Sequence, residues 1–294
     1  MAFYTNEGRP SVTTPNVRDA VLRIKDLPTL PSVLGKILAT AADPDASALD
    51  LGQHISADQS LSATLLKLVN SAYYGFYRQI SSITQAIVML GFLEVRNLTL
   101  TATAFRTLSK NSSSYDRIQL WRHSLATAMV AERINKRRKL GIEGSFESGL
   151  LHDFGKVALD LLYPEDFRLA AEDAHARGCN IAEVERERFE IDHAEVGGLL
   201  GEHWNLPPAV VEAIRYHHLP EAADQSPKLT ALTAVANYIT YGAGLGESSN
   251  GCPPAFPASA IEILGIAPDF VDELTAELSG EHEKVDEFLG TLKG

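Results

Sequence analysis

The sequence predicts an all-α fold, and three observations carry that prediction. Apolar residues recur three and four positions apart in one segment after another, as on one face of a helix. Ser, Asp and Pro stand at the starts of those segments, where they cap or open helices. No stretch before residue 108 shows the sustained alternation of a half-buried strand. The 294 residues suffice for one large or two ordinary domains, and 45% hydrophobic residues supply an ordinary globular core.

Residues 1–15 are polar, contain Pro10 and Pro15, and read as a mobile tail. Asn16 or Asp19 opens a first helix that Leu27-Pro28-Thr29-Leu30-Pro31 interrupts. Pro31 then starts a helix from Ser32 to Ala42, with Val33, Leu34, Ile37, Leu38 and Ala41 at helical spacing. Asp43-Pro44-Asp45 makes a turn. Ser47 caps Ala48 to Ile55. Asp58 caps Gln59 to Val69, whose Leu61, Leu65, Leu66, Leu68 and Val69 form a broad face for burial. Asn70 to Gly75 breaks this helix. Ser82 or Thr84 starts the next, through Leu90, and Gly91 separates it from Glu94 to Thr107. Tyr73, Tyr74, Phe76 and Tyr77 read as loop residues anchored on the core, with a binding surface as the alternative.

Ser109 to Ser114 is a polar hinge. Tyr115 to Arg137 is one long helix carrying Trp121, Leu125, Met129 and Ile134, with His123 among them. Its basic end, Arg133 to Lys139, complements the helix dipole, with a phosphate-binding patch as the alternative. Phe146 to Asp153 is a helix ending in His152-Asp153, followed by helical segments Leu159 to Leu162, Pro164 to Arg177 and Ile181 to Glu190. Gly197 stands one turn after His193, where it lets another helix approach closely. Pro208 starts the helix Ala209 to Tyr216, and His217-His218 ends it, with Pro220 just beyond. Lys228 to Tyr241 is an apolar helix. Gly242 to Pro257 reads as a loop, and residues 258–292 as two or three short acidic helices, either a C-terminal cap or a mobile appendage.

Composition narrows the function classes. No apolar run approaches the ~20 residues that span a bilayer, and Met1 to Pro15 has no basic segment followed by an apolar one. A cytoplasmic protein with no membrane contact is expected. Cys179 and Cys252, in unrelated contexts, fit a reducing compartment and argue against a disulfide scaffold or a Cys-based zinc site. The net charge of −12 argues against direct DNA binding.

Chemistry concentrates around Leu150-Leu151-His152-Asp153-Phe154-Gly155-Lys156. An adjacent His-Asp pair offers a nitrogen and a carboxylate together, which suits zinc, iron, manganese or nickel better than calcium or magnesium. The plain alternative is a helix C-terminus with a polar pair and Gly155 as its stop. His54, His175, His203 and His282 read as solvated or locally hydrogen-bonded side chains.

With His123, His152-Asp153, His193 and His217-His218 in this order, the chain resembles the HD superfamily of metal-dependent phosphohydrolases. Within it, the resemblance is to the HDOD family, the HD-related output domains of bacterial signalling proteins. The finer resemblance rests on Leu27 to Pro31, on Asp58-Gln59-Ser60-Leu61 through Leu65 to Ala72, and on Ser82 to Ile87 with Leu90-Gly91. It implies an HD-like helical bundle packed on an N-terminal helical lobe. The division would be a tail (residues 1–20), the N-terminal lobe (21–110), the HD-like lobe (111–244), and a loop with acidic helices (245–294).

The resemblance further implies metal ligands at His123, His152, Asp153, His193, His217 and His218. These would hold one or two divalent transition ions: iron, manganese, zinc or nickel. In a catalytic version Asp153 and Lys156 would act, with Lys156 contacting substrate phosphate. Two positions depart from the di-metal pattern: Gln119 stands for a Glu and Asn237 for the final Asp. The substrate motif expected after His217-His218 is replaced by Leu219-Pro220-Glu221. The expected function is a non-catalytic signal-transduction module that binds a partner protein or a nucleotide ligand and keeps a degenerate metal site. The alternative is a phosphodiesterase acting on a nucleotide or cyclic dinucleotide. A third reading is a metal- or redox-responsive switch.

Overall fold

The computed structural model describes residues 17–23, 48–71, 74–108, 117–248 and 251–293. The tail 1–15, Leu27 to Pro31, the helix Ser32 to Ala42, the turn at Asp43, the cap Ser47, Tyr73 and the hinge Ser109 to Ser114 lie outside them. Among the described residues every regular element is a helix.

The N-terminal lobe contains α2 (Ala48–Ser56), α3 (Gln59–Val69), α4 (Ile83–Leu90) and α5 (Phe92–Leu108), which pack on one another. Asp58 caps α3 by accepting the Leu61 N–H at 3.0 Å, and Leu61, Leu65 and Leu68 are buried. Asn70 explains its place in the motif. Its amide accepts the Ile80 N–H and donates to the Ile80 carbonyl, both at 2.8 Å, so one side chain closes the intervening loop. Tyr74 and Phe76 lie against the core in that loop, whereas Tyr77 is fully exposed. Ser82 caps α4, and Gly91, with φ of 87°, makes the corner into α5. Short α1 (Val17–Arg23) packs elsewhere, so residues 17–20 begin a helix instead of ending a tail.

The HD-like lobe is built from α6 (Arg117–Arg138), α7 (Ser145–Leu151), α8 (Phe154–Leu162), α9 (Pro164–Arg177), α10 (Ile181–Phe189), α11 (His193–His203), α12 (Pro208–Tyr216) and α13 (Pro227–Gly242). Helix α6 lies along α7 and α13, while α11 crosses α8 and α12 and also carries α1. Two buried ion pairs fix the frame. Arg117 at the start of α6 holds Asp160 of α8, and Arg96 of α5 reaches Glu147 of α7 at 2.8 Å, joining the lobes.

The His152-Asp153 stretch differs from the expected helix end. Helix α7 stops at Leu151, the pair forms a two-residue turn, and α8 begins at Phe154. Gly155 is therefore the second residue of a new helix. Its role is close approach: a Cβ there would fall 1.9 Å from the His193 carbonyl oxygen. Gly197 provides the other half of the crossing, since its Cβ would lie 2.7 Å from Ile214 Cγ2. The contact anticipated for Gly197 is made, and it sets α8, α11 and α12 together.

The acidic C-terminal segment is a cap. Helices α14 (Ala258–Leu264), α15 (Pro268–Leu278) and α16 (His282–Lys293) bury Leu274, Leu278, Val285 and Phe288. Helix α16 touches both α3 and α6, so it spans the lobes. Asp286 takes Arg122 at 2.8 Å, Glu281 takes Arg133 at 3.0 Å, and Glu277 takes Arg137 at 2.6 Å. The basic end of α6 complements its own dipole and also faces this acidic cap.

Gly155→Ala tests the crossing. The added methyl meets the α11 backbone at both His193 and Gly197, so relief requires moving α8 away from α11. The expected loss is about 3 kcal/mol of unfolding free energy, read by denaturant titration. A loss below about 0.5 kcal/mol, the range of an indifferent surface change, would contradict the geometry described.

Candidate metal centre

His152 and His217 occupy equivalent positions, each just past the end of its helix, α7 or α12. Helix ends leave carbonyls without intrahelical partners. His152 Nδ1 donates to the Gly149 carbonyl at 2.8 Å, and His217 Nδ1 donates to the Ile214 carbonyl at 2.7 Å. A carbonyl can only accept, so the proton of each neutral ring sits on Nδ1 and the Nε2 lone pair points outward. His123, in the middle of α6, approaches the Gly246 carbonyl through Nδ1 at 3.4 Å.

The Nε2 atoms converge on Asp153. Its Oδ2 lies 3.5 Å from His152 Nε2 and 3.9 Å from His123 Nε2. Its Oδ1 lies 3.2 Å from His193 Nε2 and 3.8 Å from His217 Nε2. His218 Nε2 is 2.9 Å from His193 Nε2. The Asp153 carboxylate thus belongs to one group of ligand atoms, His123-His152-Asp153, and borders a second, His193-His217-His218, the atoms of each lying within 4.8 Å of one another. All six residues expected at the site come together.

The donor set fits a metal. Nε2 of His123, His152 and His217 and Asn237 Oδ1 are buried with no protein hydrogen-bond partner, and Asp153 Oδ1 has the His193 ring at 3.2 Å. Buried polar atoms left so are costly, and a shared cation satisfies them together. Imidazoles with one carboxylate suit a divalent transition ion, which when bound would supply positive charge to Asp153. Asn237 is buried on α13 and can offer an uncharged carbonyl oxygen where a carboxylate was expected. Gln119 lies on α6 one turn before His123 and is half-buried.

Three groups escaped the sequence. Glu185 of α10 is fully buried, and its Oε2 takes both the Nδ1–H of His193, at 2.6 Å, and its backbone N–H, at 2.8 Å. The segment after α13, expected to be a plain loop, supplies the carbonyls of Gly246 and Ser248. Lys156, fully buried, donates to Asp153 Oδ2 at 2.9 Å and to the Ser248 carbonyl at 2.8 Å.

Electrostatics sort the ligands. Burial opposes the charge on Asp153, but His152, Lys156 and His193 outweigh it and hold the carboxyl well below the usual range. Burial lowers His123 and, further, His152 and His218; it brings His217, with His193 beside it, down to about 4. These four rings are neutral at pH 7. Burial also works against His193, yet the Glu185 and Asp153 carboxylates carry it up to about 9.

The sequence pattern of the HDOD domain matches residues 27–220. An uncharacterized protein of Treponema pallidum (strain Nichols) is 34% identical over 218 residues, covering 73% of this chain and 42% of that protein. The chain thus spans less than half of that relative's length. An HDOD domain protein of unknown function from Geobacter sulfurreducens superposes with a TM-score of 0.79 at 27% identity, covering 92% of this chain and 96% of that one. A provisionally assigned phosphohydrolase from Shewanella amazonensis SB2B gives a TM-score of 0.74 at 24% identity, covering 95% and 98%. At that identity the likeness shows the fold. Among the described residues no helix is long and apolar enough to cross a membrane.

Two outcomes are expected. The raised pKa of His193 stabilises the metal-free fold fully below the ordinary value of 6.5, and that contribution is lost as pH rises through about 9. A metal at His193 must displace the same proton. Metal affinity should therefore rise about tenfold per pH unit from 7 to 9 and level off above, in chelator competition. Glu185→Gln should shift the plateau to lower pH and weaken binding about 10–100-fold; a pH-independent affinity would contradict this. Separately, Lys156→Met leaves Asp153 buried without its ammonium. It should cost about 3–5 kcal/mol in the metal-free protein, and added metal should recover part of the melting temperature.

Proposed function

Since the chain belongs to the HDOD family, we propose that it is a signalling module that works by binding a partner protein or a nucleotide ligand. In this reading the histidine cluster holds a divalent transition metal that fixes the helices of the HD-like lobe and hydrolyses no substrate. The observation that carries it is closure of the cluster. His123, His152, Lys156 and His193 are 0% exposed and Asp153 is 1% exposed. Metal-assisted phosphoryl chemistry needs an open coordination position and room for phosphate oxygens beside it. The Lys156 ammonium is directed at Asp153 and Ser248. Gln119 and Asn237 add no negative charge to offset a second dication.

One observation favours the phosphodiesterase reading. The unpartnered Nε2 atoms on both sides of Asp153 make two ligand groups around one bridging carboxylate, and two-ion phosphoryl chemistry uses such a bridge. His218, the half-buried member, gives the cluster its one partly exposed ring.

Elemental analysis of the full chain, beside a His152→Ala, Asp153→Ala double variant, separates the readings. The expected result is near-stoichiometric iron, manganese, zinc or nickel in the wild type and none in the variant. Neither protein should turn over bis(p-nitrophenyl) phosphate after reconstitution with each of these metals. Turnover that disappears in the double variant would overturn the non-catalytic reading. A wild type that stays empty after reconstitution would overturn the metal.

A further inference from the structure

A second feature lies apart from the histidines. A cavity of about 270 Å³ opens where α5, α6, α15 and α16 meet, and none of the six site residues lines it. Its interior is apolar: Leu98, Leu125, Phe146, Leu278, Val285 and Phe288 are all buried. Its charged lining is balanced, with Glu94, Glu132 and Glu281 against Arg133, Lys136 and Arg137.

Most of these charges have close partners. Glu94 accepts from the Tyr74 hydroxyl at 2.6 Å, Arg133 holds Glu281 at 3.0 Å, and Arg137 holds Glu277 at 2.6 Å. Glu132 and Lys136 differ. They stand one helical turn apart on α6, and their separation is 3.4 Å, longer than a good charge-assisted bond. The Asn97 amide also reaches Glu132 only at 3.4 Å. Lys136 is 71% exposed, and Glu132 is 22% exposed. Burial and the nearby Glu94 carboxylate raise the Glu132 carboxyl above its ordinary value, with Lys136 opposing them.

An apolar-walled cavity with one long, partly exposed ion pair at its mouth, Glu132 and Lys136 at 3.4 Å, specifies its complement. We propose that this cavity binds an apolar α-amino acid, its ammonium on Glu132, its carboxylate on Lys136, and its side chain among Leu98, Leu125 and Phe288. A phosphate-bearing ligand fits less well, because two of the three cations are already engaged, Arg133 by Glu281 and Arg137 by Glu277. The site has an output path. Leu245 lines the cavity, and the next residue, Gly246, presents its carbonyl to His123. An occupant would touch the N-terminal lobe, α6, the acidic cap and the loop that closes the histidine cluster. The proposal stands independently of the metal and adds an input to the module reading.

Calorimetric titration of the full chain with L-leucine, L-phenylalanine and L-methionine tests it. At least one should saturate below about 10 mM. N-acetyl-L-leucine and L-leucinamide, which each lose one charge, should bind at least about tenfold more weakly than L-leucine. Glu132→Gln and Lys136→Ala should weaken the amino acid by a similar factor. Met129→Trp fills the wall and should remove binding with helical circular dichroism and metal content unchanged. If that variant misfolds, the two polar variants at the mouth still decide. No binding of any of the three amino acids to the wild type would overturn the proposal, as would equal binding of the blocked analogues. Metal content of the same samples reports on the other reading separately.

Discussion

The buried charge of Asp153 is the constraint on which the HD-like lobe depends. Taking a carboxylate out of water costs several kcal/mol unless opposite charge and hydrogen bonds meet it. Here they come from two helices: Lys156 of α8 donates to Asp153 at 2.9 Å, and protonated His193 of α11 faces it at 3.2 Å. Glu185 adds a second buried carboxylate, and protonated His193 answers it. Two carboxylates, Asp153 and Glu185, thus face Lys156 and protonated His193 in the heart of the cluster. A dication entering at His193 would displace a proton, so part of its charge is balanced by what leaves.

This requirement accounts for features that have no chemistry of their own. Helices α8 and α11 must cross closely enough for His193 to reach Asp153, and Gly155 and Gly197 remove the side chains that would hold them apart. The Arg117–Asp160 pair fixes the start of α6 to α8, so that His123 enters at the right height. The acidic cap and the Arg96–Glu147 pair tie this lobe to the N-terminal one. Cavity, loop and cluster are then neighbours along one short path, Leu245 to Gly246 to His123.

Much of this was legible in the sequence, for reasons that differ by residue. Caps such as Asp58 and Ser82 act locally, so three or four residues reveal them. The six histidine and aspartate positions could be picked out by their order along the chain, which the resemblance to the HD superfamily supplied, and the structure brings them together. Gly155 was ambiguous because a glycine after a polar pair is also the signature of a helix end. Glu185 was hidden among the like charged residues Glu183, Arg186 and Glu187, from which nothing in the local sequence separates it. Gly246 and Ser248 act through carbonyl oxygens, which every residue possesses. The acidic cap was undecided because its basic partners on α6 lie roughly 140 residues away in sequence, beyond any local pattern.

The carbonyls of Gly246 and Ser248 have a consequence for how the protein is made. Chains are synthesised from the N-terminus, and His123 precedes Gly246 by 123 positions. Every histidine of the cluster is therefore synthesised before the segment that closes over it, and the hydrogen bonds that His123 and Lys156 make to the Gly246 and Ser248 carbonyls are the last of the cluster's contacts that the growing chain can make.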